Sequence, residues 1–193
     1  MSTDRRADPS AATSPRFRAR LAGFLYLMNT VTSLVAFSGT ASPPISAACG
    51  WAATASYVGV TVLFYLLFKP VNRTVSLIAA LFSLAGCADG VLTPLHLFPF
   101  PIHSLVFFGG YCVLIGYLIL RSTFLPRILG LLMMLAGLGW LTFVYAPLAT
   151  SLSPYPYIMG GVGEISLWLW MLVMGVNAGR WDEQAGARVA VAG

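Results

Sequence analysis

The chain has 193 residues, of which 58% are hydrophobic and only 9% charged, with a net charge of +5. Soluble domains carry about a quarter charged residues, so the composition excludes an ordinary soluble domain and points to a membrane protein. The eleven basic residues fall in four separate segments without interleaved aromatics. That distribution speaks against a nucleic-acid surface; the charge reads as topology and contact with anionic lipid.

Residues 1–17, polar and rich in Ala, Ser, Pro and Arg, read as a disordered cytoplasmic tail. Six apolar stretches follow, at 19–39, 47–68, 74–95, 103–120, 128–148 and 157–179. Each is near the roughly 20 residues a helix needs to cross the hydrocarbon core, and lipid leaves no partner for a bare backbone, so each is expected to be helical. The first carries a polar stripe of Tyr26, Asn29, Thr32 and Ser33. Its alternative is a cleaved signal peptide, since "SGTAS" offers small residues, although the apolar run is long for one. After the second, "KPVNR" (69–73) makes a turn in which Asn72 can cap the next helix. The third contains Asp89 between Gly86 and Gly90, a GxxxG pattern suited to close packing. A Pro-rich loop with His96 and His103 at its ends leads to the fourth. The turn at 121–127 resembles the one at 69–73, which hints at an internal repeat. The fifth stretch carries Trp140. The sixth contains Glu164 in "GGVGEISLWLW" and a second GxxxG, Gly175–Gly179. Residues 181–193 read as a cytoplasmic C-terminal tail.

The expected fold is therefore all-α: a six-transmembrane-helix bundle over 18–180. The loops near 40–46, 96–102 and 149–156 contain no Lys or Arg. Six spans with every basic residue on one side put both termini in the cytoplasm. Cys49, Cys87 and Cys112 lie inside predicted helices, without a CxxC, and read as small buried residues.

The words "YLLFKPVNRTVSLIAALFSL" (65–84) and "GYLILRSTFLPRILGLLMMLAGLGWL" (116–141) resemble the bacterial integral membrane family called domain of unknown function 4386. "RLAGFLYLMNTVTSL" (20–34) and "VGEISLWLWMLVMGVNAGRW" (162–181) are similar to it as well. The resemblance implies a six-helix membrane bundle, in a bacterial cytoplasmic membrane, and no established activity.

The functional question is set by two acids within the spans. Asp89 is sixteen residues after Arg73 and Glu164 sixteen before Arg180. At helical rise both are expected about 24 Å from the inner headgroups, at a shared depth. No Lys or Arg reaches that depth, and an unpaired ionised carboxylate there is very costly. The acids can be neutral, share a proton, face water, meet His96 or His103, or hold a cation. Glu164 and Asp89 are the catalytic candidates, and Trp168, Trp140, Asn29, Tyr26, Thr93 and Tyr111 the candidate substrate-binding residues. The bland reading is that each acid only hydrogen-bonds a neighbouring helix. No Walker loop, GxSxG or zinc pattern occurs, so no metal or cofactor is expected.

The expected ligand is an apolar or cationic small molecule in the outer half of the bundle. The first functional reading is a membrane-embedded enzyme acting on an isoprenoid or lipidic substrate. One carboxyl would give a proton and the other accept one, with tryptophan faces stabilising a carbocation, as in terpene cyclases. A small proton- or cation-coupled transporter or channel is the alternative, for which six helices enclose little volume unless a homo-oligomer forms. An accessory membrane protein without catalysis is the third.

Overall fold

The computed structural model describes residues 14–92 and 103–192, with side chains through 187. The expectations for the N-terminal tail up to residue 13, Thr93 and His96 lie outside the described residues. The elements are α1 (Pro15–Phe37), α2 (Pro43–Phe68), α3 (Arg73–Leu92), α4 (Ser104–Arg121), α5 (Arg127–Leu141), a 3-10 turn (Thr142–Val144), α6 (Ala146–Ser151), α7 (Tyr155–Val173) and α8 (Ala178–Ala192). Six helices are long and apolar enough to cross a membrane: α1 to α4, α5 with its 3-10 extension, and α7. Among the described residues there is no strand.

Local chemistry explains the boundaries. The Ser14 hydroxyl accepts from Phe17 N–H at 3.2 Å, and Pro15 follows it at a position where no amide is needed. The same rule starts α2 at Pro43, earlier than the apolar run suggested. Asn72 accepts from Val75 N–H at 3.1 Å, as expected of a cap, and His103 Nδ1 accepts from Leu105 N–H at 3.3 Å to open α4.

Each spanning helix packs on the next in chain order, and α7 closes the ring against α1. A column of aromatic rings runs through the interior. Tyr26 meets Tyr57 edge-on at 5.5 Å, Tyr57 meets Tyr111 at 5.8 Å, and Phe64, Phe68 and Phe124 continue the column at 5.8 Å spacings. α3 turns a face of Ser76, Ala79, Ser83, Gly86 and Cys87 inward. This small-residue face leaves room for rings on α2 and α4 to meet each other. Thr61 and Ser83 hydrogen-bond at 2.5 Å and so satisfy two buried hydroxyls between α2 and α3.

The starts of α1, α3 and α5 and the ends of α2 and α4 gather at one end of the ring, with Arg16, Arg18, Arg20, Lys69, Arg73, Arg121, Arg127 and Arg180. Two sequence readings need correction there. The sixth span was expected to run to 179, with a tail from 181. Instead α7 stops at Val173, Gly175 turns the chain at φ +69°, and α8 begins at Ala178. Gly175 N–H bonds to Trp170 O at 3.1 Å, a left-handed C-terminal cap that glycine adopts without a Cβ penalty. Gly175–Gly179 is therefore a turn and not a helix-packing motif. α8 is held in place because it satisfies carbonyls that helix ends leave open. Trp181 Nε1 donates to Leu67 O at 2.8 Å, Gln184 Nε2 to Arg121 O at 3.3 Å, and Asn177 N–H to Phe124 O at 3.2 Å.

Candidate functional site

Glu164 is the middle residue of α7, with nine residues on either side. At helical rise it stands about 14 Å from the end of that helix. Cys112 is nine residues inside Arg121, the last residue of α4, and so lies at a similar level. Asp89 is sixteen residues into α3, about 24 Å from its start. The two acids thus stand at different distances from the inner ends of their own helices. The expected agreement depended on counting to Arg180 through a helix that ends seven residues earlier.

The carboxylate has a defined surrounding. Trp140 Nε1 donates to Glu164 Oε1 at 2.7 Å, and the Cys112 thiol points to the same oxygen at 3.8 Å. Tyr26, Tyr57 and Tyr111 are close enough to interact with the carboxylate electrostatically. The Tyr26 hydroxyl is near Glu164 without forming a bond of ordinary geometry. Tyr26 and Tyr111 are fully buried, and neither hydroxyl has a hydrogen-bond partner. Trp168 Nε1, one turn inward along α7, is likewise buried and unpartnered. Buried donors are normally satisfied, so the Tyr111 hydroxyl and the Trp168 indole N–H, both without a partner among the described residues, set this region apart from ordinary core.

The glycines before Glu164 explain how Trp140 reaches it. A Cβ on Gly160 would run into the Trp140 indole, and one on Gly163 into Leu132 O and the Ala136 side chain. The stretch "GGVGE" lets α5 approach α7 closely and lays an indole across the helix onto the acid one turn on. Phe143 and Tyr157 pack on Trp140 at 6.2 and 5.9 Å, and His103 stacks on Phe143 at 5.2 Å. This aromatic group covers the site from the outer side.

Of the candidates read from sequence, the structure brings together Glu164, Trp140, Tyr26 and Tyr111, with Trp168 one turn away. Asn29 is one turn outward of Tyr26, where its Oδ1 lies 3.5 Å from Ser33 Oγ. Asp89 is buried on α3, which packs on α2 and α4, whereas α7 packs on α1 and α5. Glu164's hydrogen bonds go to α4 and α5. Cys112 and Tyr57 were missed as site residues. Counting from Arg121 would have put Cys112 near the right level, but its helical face was not readable without partners. Among the described residues, no three His, Cys, Asp or Glu side chains converge as a metal set.

Residues 95–175 match the family described as Domain of unknown function (DUF4386). The family resemblance read from the turn words is thus supported where 116–141 and most of 162–181 lie; the words at 20–34 and 65–84 fall outside the matched segment. Glu164, Trp140, Tyr111 and Cys112 are inside it, and Tyr26 is not. The chain is also similar to an uncharacterized protein of Archaeoglobus fulgidus, 26% identical over 132 residues that cover 61% of this chain and 76% of the relative. No solved structure matches. The DUF4386 segment therefore comes with a membrane-like helical fold and no assigned activity.

Proposed function

We propose that the protein is a membrane-embedded enzyme that takes an isoprenoid or other lipidic substrate into the Glu164 site and acts on it by carboxylic acid–base chemistry. One observation carries this: a carboxyl group at the middle of a spanning helix, oriented by Trp140 and bordered by the buried Tyr26 and Tyr111 side chains. Mid-membrane acids are costly and mark function by default. Glu164 is the proton donor or acceptor in this reading, Trp140 positions it, and the tyrosine and tryptophan rings favour an apolar or cationic species. Asp89, on α3, joins as a second carboxylate only for a substrate long enough to reach both residues. The aromatic column on the inner side of Glu164 favours this reading over a channel, because Phe64 and Phe68 are buried there. The proposed setting is a bacterial cytoplasmic membrane, with the basic end and both termini in the cytoplasm.

The test is turnover of an isoprenoid panel by the detergent-purified protein, beside Glu164→Gln and Trp140→Phe. Turnover that disappears in Glu164→Gln while the protein stays folded supports the proposal. Activity found only in sealed vesicles under a proton gradient overturns it in favour of transport. No activity in either format, together with a lower melting temperature for Glu164→Gln, leaves Glu164 as a helix lock and also overturns it.

A further inference from the structure

The basic end carries a second candidate site, independent of Glu164. A cleft of about 680 Å³ lies between the α4–α5 turn and α8, lined by Ser122, Thr123, Arg127, Arg180 and Gln184. A neighbouring cleft of about 340 Å³ is lined by Arg16, Arg180 and Asn177 and also by Trp170 and Met174. Both share Thr123, Leu125 and Arg180. Arg180 is thus common to the two, flanked by Arg127 on one side and Arg16 on the other. Against these three cations, Glu183 is the acid in the lining.

Their chemistry is graded along the bundle axis. The arginines sit at the helix ends, where headgroups would lie. Trp170 is one turn inside the end of α7, and Met174, just past that end, is 57% exposed. Arg127 opens α5, whose first amides add partial positive charge. Polar cations above and an apolar wall beneath match an amphiphile with a phosphate head and a hydrocarbon tail. A free phosphate would have no use for Trp170 and Met174. Basic pockets between helices on the inner side of a membrane are suited to such lipids.

We infer that these joined clefts bind an anionic phospholipid of the surrounding bilayer, its phosphate on Arg16, Arg127 and Arg180 and an acyl chain along Trp170 and Met174. Arg180 Nη1 also donates to Thr123 O at 3.4 Å, so removing it disturbs fold and site together. Arg16 and Arg127 donate no side-chain hydrogen bond among the described residues, and they test the site alone.

The experiment measures lipid retention by native mass spectrometry and thermal stabilisation, using the full chain in detergent with phosphatidylglycerol, phosphatidylcholine or inorganic phosphate. The wild type should retain and be stabilised by phosphatidylglycerol alone. Arg16→Gln/Arg127→Gln should weaken that by about tenfold or more, as expected for two basic groups near an anionic head. Arg121→Gln, at the same end but outside the clefts, should leave it unchanged. Equal weakening in Arg121→Gln means diffuse charge attraction and overturns the proposal. So does equal retention of phosphatidylcholine, retention untouched by the double substitution, or full stabilisation by inorganic phosphate.

Discussion

Glu164 reaches its partner only because its own helix is thin one turn earlier, which ties an acid to a glycine. Trp140→Phe removes the 2.7 Å donor and leaves Glu164 with the weaker Cys112 contact. A double-mutant cycle of Trp140→Phe and Glu164→Leu, which removes the acceptor, should therefore show a coupling of about 1–3 kcal/mol in unfolding free energy, the span from a neutral to a charge-assisted hydrogen bond. Additive effects in that cycle would mean the two residues stabilise the bundle separately. Gly160→Ala should behave like Trp140→Phe, since the new methyl displaces the same indole. Its signature is a shift in tryptophan fluorescence that is absent in the Trp140→Phe background. At this scale the acid was legible in the sequence, because a carboxylate stands out in an apolar run. Its tryptophan was legible only as one of several candidates, since a contact between helices needs their faces to be known.

The elements show how a helix can be long by composition and shorter in fact. In α7, Gly163 meets α5 backbone while Gly161, two residues away, has nothing within 4 Å of its would-be Cβ. Gly163→Ala should destabilise the protein by about 1–3 kcal/mol through overpacking. Gly161→Ala should be neutral or stabilise it by up to about 1 kcal/mol, as alanine replaces glycine within a helix. Thermal denaturation of both in the same detergent checks the pair, and equal effects would contradict the close α5–α7 approach. Gly175 holds φ +69°, so Gly175→Ala should cost about 1–2 kcal/mol, the penalty of a left-handed conformation for a residue with a Cβ. α8 was read as a tail because "DEQAGARVAVAG" is weakly apolar and its stability comes from elsewhere: Trp181 and Gln184 cap the ends of other helices.

For the whole molecule, the ring order α1 to α5 and then α7 means that each helix is antiparallel to its sequence neighbour, which collects the basic groups at one end. With that end in the cytoplasm, a green fluorescent reporter fused after residue 193 should fluoresce and an alkaline phosphatase fused there should be inactive. The opposite pair of results would invert the assignment. Six spanning helices were legible because the length of an apolar run and the placement of charge are one-dimensional properties. The ring's closure through α7 and α1 was not, because it depends on which faces pack.

What the sequence determined by itself was class, span number and charge asymmetry: the bilayer imposes a minimum apolar length and excludes bare backbone, and both demands act on the chain locally. Tertiary structure decided which acid has which neighbours. It ended α7 at Val173, which put Glu164 at the middle of its span. It also folded α8 back beneath the bundle. Those outcomes depend on a single left-handed glycine and on contacts between residues more than a hundred positions apart, such as Trp181 and Leu67 or Arg20 and Val173, and no local pattern encodes which of the possible pairings is formed.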